Sequence, residues 1–337
     1  MKYQKEKLDN LRERWLTIKG RRLAKKIKET RCYLSPVLFK KVVQNFPYIN
    51  DDEVANEIDL RGISLAGFDF RIPVLEDESG FEEELAILSF IHFEGANLRH
   101  TTFQDGKIQS CNFDDADLSH SNFKNASINS CSFHSAKLES SLLIETNITN
   151  CNFTKAKLND INLGSTLVDQ STTFDKKIEN EIAKNYHIAS VEYKQLKDMY
   201  KNSSLHSQAD EYHYREMVCR RKSSKLYNPL RLLNFIFGDL TCKYGTSAMR
   251  IFLWMMGAVF GFAAIYYTFQ NFMSYAAPLK MSFADCVYFS VVTYTTVGYG
   301  DIHAIGDLRF LAGLEALVGL TLTSLFTVII ARRIIRD

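Results

Sequence analysis

Apolar residues return at a constant interval of five in the first half of the chain. Large apolar side chains occupy every fifth position without a slip, at Phe93, Leu98, Phe103, Ile108, Phe113, Leu118, Phe123, Ile128, Phe133, Leu138, Leu143, Ile148, Phe153, Leu158, Leu163 and Val168. The residue two positions earlier is nearly always small, as at Ala96 and Cys111; the exceptions are Ile91 and Ile161. A period of five fits neither a helix, at about 3.6 residues per turn, nor a strand, so it predicts a repeat architecture.

The recurring pattern Ala-x-Leu-x-x resembles the pentapeptide-repeat family. The resemblance implies a right-handed quadrilateral β-helix, with one pentapeptide per side and about twenty residues per coil, in which the large and the small residue both point inward. Sixteen repeats would make four coils, and such a rod would be about 20 Å long. Leu60, Leu65 and Phe70 predict part of an earlier coil, so residues 51–175 are assigned to the β-helix, with an insertion at about 71–89.

A column of cysteines is the most conspicuous chemistry of this rod. Cys111, Cys131 and Cys151 are spaced by 20 residues, which predicts that they stack on successive coils. A metal ladder is one interpretation, but packing is favoured because the inward position requires a small residue. Residues 93–175 carry only 10 acidic residues against 6 basic ones, so mimicry of DNA is disfavoured and no nucleic acid partner is expected. An unknown protein or small-molecule ligand is the partner considered for the rod.

The apolar period becomes helical after the repeats. Steps of 4, 4, 3, 4, 3 and 4 join Ile178, Ile182, Tyr186, Ala189, Tyr193, Leu196 and Tyr200. This spacing predicts an amphipathic helix. A second helix is expected from about Ser207 to Lys225. Residues 176–248 are therefore interpreted as a cytosolic helical hairpin linker.

Two long apolar runs follow in the last third of the chain. Ile251–Phe269 contains 19 residues without a charge and would be about 28 Å long as a helix, close to the bilayer core of about 30 Å. Phe310–Ala331 contains one charge, Glu315. Two buried helices of a soluble domain are the alternative interpretation. Basic residues are frequent before the first run and rare between the two, so a multi-pass protein of the cell membrane is expected, with both termini cytosolic and Asn271–Arg309 reaching the outer face.

The sequence between the two runs includes Thr296-Val297-Gly298-Tyr299-Gly300, here called the filter segment, followed by Asp301. It resembles the signature of two-transmembrane, inward-rectifier-like bacterial potassium channels, and the resemblance covers about residues 249–336. It implies an all-α pore domain at 249–337 with a re-entrant helix, assembled as a homotetramer. Rings of backbone carbonyl groups from the filter segment, with the Thr296 hydroxyl, would then replace the water around K⁺. Gly298 and Gly300 would tolerate the backbone angles that this arrangement requires.

A short helix is expected immediately before the filter segment. Ser282 and Asp285 have the spacing of a capping box, which predicts a helix over Ser282–Thr295. Four residues are assigned to filter support and the outer mouth: Tyr288, Thr293, Thr295 and Asp301. Tyr288 is also expected in an aromatic cuff with Phe283, Phe289 and Tyr294. Val292 stands where some bacterial relatives carry a carboxylate, so that partner for Asp301 is missing.

The second apolar run supplies the candidate cavity and gate. Leu320, Thr323, Thr327 and Ala331 step by 3, 4 and 4 residues and so share one face of a helix. The two hydroxyl groups suit a pore-lining face better than a lipid-facing one. Gly319 would permit either bending or close packing. Glu315 precedes this face, and an acid inside a span is expected to be buried with a partner and to be functional.

The distribution of charge predicts a basic N-terminal arm, and the cysteine content indicates a cytosolic environment. Residues 1–50 carry 14 basic and 4 acidic residues, whereas 51–92 carry 2 and 12. Residues 1–31 predict a basic helix with Leu8, Leu11, Trp15 and Ile18 on one side, and it could contact anionic lipid or pack on the acidic segment. The start of the chain has no apolar signal-peptide core. The seven cysteines form no CxxC pair, so reduced thiols are predicted.

Two functions of different classes fit these patterns. The first is a potassium-selective channel that conducts K⁺ passively, with a cytosolic rod that regulates or localises it. The alternative is an interaction scaffold whose channel-derived anchor no longer conducts, and the complete filter segment favours the first. No motif connects to catalysis, so an enzyme is not expected, and no cofactor besides the permeant ion is implied.

Overall fold

The computed structural model describes residues 2–29, 58–70, 87–224, 231–232, 234–269, 273–275 and 281–336. The chain divides into two compact units, Met1–Ser223 and Ser224–Asp337. Residues 30–57 of the basic arm and its acidic neighbour, and most of the expected insertion at 71–89, lie outside the described residues. Residues 87–89 were expected in that insertion, but they form a regular strand that pairs with Lys107–Gln109.

A β-solenoid forms the centre of the first unit. Its short parallel strands are β1 Ile58–Asp59, β2 Ile87–Ser89, β3 Ile91–His92, β4 Lys107–Gln109, β5 Ser127–Asn129, β6 Asn147–Thr149, β7 Asn152–Phe153, β8 Leu167–Val168 and β9 Thr173–Phe174. Lys107 pairs with Ser127 and Ser127 with Asn147, so each coil contains 20 residues. Because the sequence period is five, each coil has four sides, and the predicted pentapeptide-repeat fold is confirmed.

The interior of the solenoid is filled by the large residue of each repeat. All sixteen are at most 7% exposed. Phenylalanine rings stack between coils, with centroids 4.7 Å apart for Phe103 and Phe123 and 4.8 Å apart for Phe113 and Phe133. Burying each such ring contributes about 1.5–3 kcal/mol, so the column of apolar residues is the main source of stability in this unit.

The three cysteines of the column also point inward, one in each of three successive coils. Cys131 Sγ accepts a hydrogen bond from the Cys111 N–H, and Cys151 Sγ accepts one from the Cys131 N–H, both at 3.4 Å. Hydrogen bonding with Cys111, together with burial, raises the pKa of Cys131 to about 12. A thiol that stays protonated at neutral pH is a packing group rather than a nucleophile or a ligand.

Left-handed backbone recurs at every fifth residue from Phe90 to Ser165. Gly95 is the glycine of this set, and the other positions carry side chains, such as Asp105 with φ 60° and Asn125 with φ 57°. Asn, Asp and His tolerate this region better than most residues. Bonds between coils hold the corners, as when Asp105 N–H donates to the Lys124 carbonyl at 3.0 Å. The apolar period alone does not predict this feature.

The N-terminal arm consists of two helices, α1 Lys2–Leu16 and α2 Ile18–Glu29. Thr17 interrupts the single helix expected over residues 1–31, because its hydroxyl accepts a hydrogen bond from Gly20 N–H at 3.0 Å and so starts α2. Trp15 is buried, whereas Ile18 is 75% exposed. The prediction that both residues lie on one side of a single helix was therefore wrong.

A buried ionic network attaches α1 to the first described coil. Arg14 Nη2 lies 2.7 Å from Asp59 Oδ1, and Arg61 Nε lies 3.0 Å from the same oxygen. Burial alone would raise the pKa of Asp59, but hydrogen bonds from the two guanidinium groups lower it to about 2. Gly62 adds a close contact, since a β-carbon there would lie 2.7 Å from the Leu11 carbonyl. Helix α1 therefore packs on the acidic segment, as one of the two alternatives predicted.

Three helices follow the solenoid: α3 Glu179–Ile182, α4 Tyr186–Asn202 and α5 His206–Ser223. Helix α4 covers the last coil. The backbone N–H of Leu163 donates to Gln195 Oε1 at 3.0 Å, and that of Val168 donates to Ser203 Oγ at 2.8 Å. An open end of a solenoid presents unpaired backbone groups that would otherwise recruit another strand. The hairpin of α4 and α5 therefore caps the solenoid, whereas residues 176–248 were interpreted as a linker.

The expected helix from Ile178 to Tyr200 is broken near its start. Lys184 has a left-handed backbone with φ 64°, between α3 and α4. The break leaves Ile182 68% exposed, so its predicted place on the buried face was wrong, whereas Tyr193, Leu196 and Tyr200 are buried as expected.

The second unit contains two long apolar helices, α6 Ala248–Thr268 and α8 Leu308–Arg336, with the shorter α7 Phe283–Tyr294 between them. The apolar windows of α6 and α8 have mean hydropathy 1.8 and 2.0, and only 17% of each is buried. The core helix of a soluble protein would be mostly buried, so both helices have the length and the exposed apolar surface of membrane spans. A π-helical segment, Asn234–Leu240, and a 3₁₀ turn, Lys243–Gly245, precede α6.

A short antiparallel pair of strands joins the segments before and after α7. Strand β10, Met273–Tyr275, pairs with β11, Ile302–Ala304, and His303 lies opposite Ser274. The sequence pattern does not predict either strand, because each is only three residues long.

Candidate functional site

Helix α7 leads directly into the filter segment, and a capping box at its first turn fixes the residue at which the helix begins. Ser282 is the N-cap: its hydroxyl accepts a hydrogen bond from Asp285 N–H at 3.2 Å, and Asp285 Oδ2 accepts one from Ser282 N–H at 2.8 Å. The capping box is confirmed, and α7 occupies Phe283–Tyr294 with Thr295 as its C-cap. The helix therefore ends one residue before the filter segment, with the negative end of its dipole there.

Backbone handedness alternates along the filter segment. Thr296, Gly298 and Gly300 have φ of 58°, 59° and 82°, whereas Val297 and Tyr299 are not in the left-handed region. Alternating handedness turns successive carbonyl groups toward one side of the chain, while a regular strand points them to opposite sides. Glycine was expected at two of these positions for this reason, but the left-handed Thr296 was not foreseen. A β-carbon at Gly298 or Gly300 would meet no atom of the chain within 4 Å, so the requirement is backbone conformation rather than space.

Tyr288 connects α7 to the far end of the filter segment. Its hydroxyl donates to Asp301 Oδ2 at 2.9 Å. This bond joins two of the four residues assigned to filter support. The other two lie at the end of α7: Thr295 Oγ1 donates to the Val291 carbonyl at 2.7 Å, and the Thr293 carbonyl accepts the Thr296 N–H at 3.0 Å.

The expected aromatic cuff is only partly assembled within one chain. Phe289 is buried against Tyr266, with ring centroids 4.9 Å apart, and Phe283 packs edge-on against Tyr267. These two rings therefore face α6 rather than the filter segment. Tyr299 is 73% exposed and Val297 is also exposed, so a single chain does not cover the back of the filter segment.

The second long helix passes the end of α7 at Gly319. A β-carbon on Gly319 would lie 2.2 Å from the Tyr294 carbonyl oxygen. The residue is therefore a site of close packing, one of the two roles considered for it. Leu320, Thr323, Thr327 and Ala331 are all exposed on α8 within the chain, and the Thr327 hydroxyl is directed to its own helix, donating to the Thr323 carbonyl at 2.9 Å.

Glu315 is fully buried and joins three helices. Tyr266 of α6 donates its hydroxyl hydrogen bond to Glu315 Oε2 at 2.7 Å, and Ser290 of α7 is hydrogen-bonded to Glu315 Oε1. Ser290 Oγ also lies 2.8 Å from the Val259 carbonyl oxygen. All three polar side chains have no exposed surface. Sequence reasoning expected a partner for Glu315, but the tyrosine and serine carry no pattern that would identify them.

The described residues were compared with the side-chain arrangement that a bound metal ion requires. Within the described ranges, no three His, Cys, Asp or Glu side chains converge as metal ligands would. What the filter segment offers an ion is oxygen from the backbone and from the Thr296 hydroxyl.

Comparison with known families agrees with the geometry of the second unit. Residues 254–336 match the family described as ion channel. This part of the chain is an ion-channel domain. Residues 84–153, a range that overlaps the solenoid, match the family described as the SV2A/B/C luminal domain. No curated protein matches the chain.

Several solved structures are similar to part of this chain. A pentapeptide repeat protein from the Arabidopsis thaliana thylakoid lumen is 24% identical, with a TM-score of 0.21, over 24% of this chain and 60% of that one. A pentapeptide repeat protein from the cyanobacterium Cyanothece 51142 is 17% identical, with a TM-score of 0.20, over 35% and 86%. A plasmid-mediated fluoroquinolone resistance protein is 15% identical, with a TM-score of 0.19, over 33% and 51%.

Proposed function

We propose that this protein is a potassium-selective channel that conducts K⁺ passively across the cell membrane as a homotetramer. The observation that carries the proposal is the alternating backbone of a complete Thr-Val-Gly-Tyr-Gly segment at the end of α7, between two membrane-length helices. Potassium sheds its water only where oxygen dipoles replace it, and four such segments around one axis would supply stacked rings of carbonyl oxygens. The role of the chain is thus to conduct an ion, and no enzymatic step is proposed.

Four copies are proposed because one chain leaves the filter segment incomplete. Val297 and Tyr299 are exposed behind it, and neighbouring copies would bury them. Leu320, Thr323, Thr327 and Ala331 would then line the cavity, with the gate formed by the later residues of α8. Thr327→Cys should be blocked by a charged thiol reagent from the cytosolic side, whereas Phe326→Cys should be spared.

In the proposed membrane orientation, both termini lie in the cytosol and the paired strands β10 and β11 lie on the outer side. Basic residues lie at one end of each span: Arg250 is near the start of α6, and Arg332 and Arg333 are near the end of α8. Positive charge beside a span is retained on the cytosolic side. His303 is exposed, so His303→Cys should react with an impermeant reagent applied to intact cells.

The solenoid is proposed to regulate or localise the channel, through a protein or small-molecule partner. The large residue of every repeat is buried inside it, so a partner would use the outer surface. A scaffold with a non-conducting anchor is the second candidate. An intact filter segment favours the channel, because an anchor without conduction would not need two left-handed glycines.

Potassium flux from purified protein in liposomes tests the proposal. Wild-type protein should carry K⁺ and exclude Na⁺. Gly298→Ala should lose this preference, because alanine disfavours the left-handed backbone. Gly261→Ala is the matched control, since its β-carbon also meets no atom within 4 Å but lies within α6. A control that fails equally, or wild-type protein without K⁺ flux, would leave the scaffold as the better explanation.

A further inference from the structure

We propose that Glu315 is held as a neutral carboxylic acid, and that its proton positions α7, and with it the filter segment, between the two spans. Ser290 makes more contacts than its single hydrogen can serve. Its oxygen lies within hydrogen-bond distance of the Val259 carbonyl and of Glu315 Oε1. A serine hydroxyl has one hydrogen, and a backbone carbonyl can only accept.

Only one assignment gives every contact in the cluster its own hydrogen. Ser290 donates to the Val259 carbonyl, and Tyr266 donates to Glu315 Oε2. The remaining contact, between Ser290 Oγ and Glu315 Oε1, then needs a hydrogen on the carboxyl group. An ionised Glu315 would leave two oxygens of this buried cluster facing each other without a hydrogen, which is costly in a low-dielectric interior.

The surroundings of Glu315 offer no compensating positive charge. Within the part of the chain that the structure describes, no lysine, arginine or histidine forms an ion pair with it. The side chains that face it from α6 and α7 are Tyr266 and Ser290, with the thiol of Cys286 one turn before Ser290. Strand β11 contributes the apolar Ile302 and Ala304 to the same buried cluster. A buried carboxylate without a paired cation is strongly disfavoured.

The proton acts close to the filter segment because the helices touch at two successive turns. Ser290 meets Glu315, and four residues later on both helices Tyr294 meets Gly319. Thr296 follows only two residues after Tyr294. A neutral Glu315 therefore joins α8 to α7 one turn before the end of α7, and losing the proton would release Ser290 while the Gly319 contact stays. The consequence for conduction rests on the proposed function, whereas the protonation does not.

Infrared spectroscopy of the full-length protein in lipid tests the proton directly. Wild-type protein at neutral pH should show a carbonyl stretch of a protonated carboxylic acid that is absent from Glu315→Gln. Glu192, whose pKa is raised to about 7, absorbs in the same region, but its band is common to both proteins and cancels in their difference spectrum. Asp307→Asn is the control, since Asp307 is exposed and its removal should leave the band unchanged. Spectra of wild type and Glu315→Gln that agree in this region would overturn the assignment, whatever the protein conducts.

Substitutions test the positioning role separately. Glutamine can donate from its amide nitrogen to Ser290 and accept from Tyr266, so Glu315→Gln should keep K⁺ flux and K⁺ over Na⁺ preference within about twofold. Glu315→Ala should lower flux at least about tenfold, and Glu315→Asp should resemble it because the shorter side chain cannot reach both partners. Alkaline pH should reduce flux in wild type and spare Glu315→Gln. A glutamine variant as impaired as the alanine variant would refute the role of the proton, and wild-type liposomes without flux would refute the channel instead.

Discussion

Gly319 of α8 lies directly against the carbonyl group of Tyr294, the last residue of α7. A β-carbon on Gly319 would be 2.2 Å from that oxygen, far inside van der Waals contact. Because the filter segment starts two residues after Tyr294, its position depends on this contact between backbone and backbone. Any movement of α8 at this level must either move α7 or open a gap.

Gly319→Ala should therefore separate α8 from α7. Overpacking of this kind costs about 1–3 kcal/mol, and the expected result is a lower melting temperature of the purified protein together with loss of K⁺ over Na⁺ preference. Gly313→Ala is the control on the same helix, because its β-carbon would meet no atom within 4 Å. Equal behaviour of the two variants would contradict the close-packing role.

Tyr288→Phe removes the hydroxyl that donates to Asp301 at 2.9 Å. Because Tyr288 is exposed, this hydrogen bond to a charged group contributes less than a buried one would. We expect the outer end of the filter segment to loosen, seen as K⁺ current that decays during sustained flux. Tyr267→Phe, which removes an exposed hydroxyl on α6, should leave the time course unchanged. Steady current in Tyr288→Phe would indicate that the bond does not hold the filter segment.

Arg14→Ala should detach the N-terminal arm from the solenoid. Breaking a buried ion pair by removing one partner costs about 3–5 kcal/mol, and Asp59 would be left buried with Arg61. Trp15 packs beside this network, so its fluorescence reports the change if Trp254→Phe removes the other tryptophan. A red-shifted emission is expected, whereas Arg22→Ala, at an exposed position, should leave the spectrum as it is.

The same network predicts a dependence on acid. The pKa of Asp59 is lowered from 3.8 to about 2, so its ionised form stabilises the folded state at all pH values above about 4, and this contribution is lost as pH falls through about 2. Trp15 emission should shift to the red across that interval. A shift that is complete well above pH 4 would mean that another group controls the arm.

Glu192 predicts the opposite dependence at the other end of the solenoid. Burial, with the nearby Asp160 and Glu179, raises the pKa of Glu192 from 4.5 to about 7, although its hydrogen bond from Asn180 opposes the shift. The neutral form is therefore favoured in the fold: its contribution is present below about pH 4.5 and is lost as pH rises through about 7. At 1.36 kcal/mol per unit the full effect is about 3 kcal/mol. The rate of hydrogen exchange in α4 of wild type, divided by the rate in Glu192→Gln, should therefore be higher at about pH 8 than at about pH 6. The same ratio at the two pH values would contradict this prediction.

The sequence predicts those parts of the fold in which the spacing of neighbouring residues determines the local structure. Sixteen apolar residues at a strict period all lie inside the solenoid, and the Ser282–Asp285 spacing is the observed cap of α7. Contacts between distant residues carry no such local signal. The bond of Glu315 with Ser290 joins residues 25 apart, and that of Arg14 with Asp59 joins residues 45 apart. Ile18 and Ile182 were misplaced because each lies beside a helix break that apolar spacing does not register.

The channel domain should fold and conduct without the first unit, provided that the boundary respects the cap. Sequence reasoning placed the end of the rod near Phe174, so a deletion of residues 1–174 would be the natural choice. The structure indicates instead that Tyr193, Leu196, Met199 and Tyr200 of α4 are buried in the first unit, where Phe174 packs edge-on against Tyr200. That deletion would expose these side chains to water, so we expect it to aggregate. Deleting residues 1–223 removes the whole unit and should yield a monodisperse tetramer by size-exclusion chromatography that carries K⁺ selectively, with an altered open probability. A folded tetramer of this shorter chain that conducts under no condition would assign the solenoid an essential part in conduction.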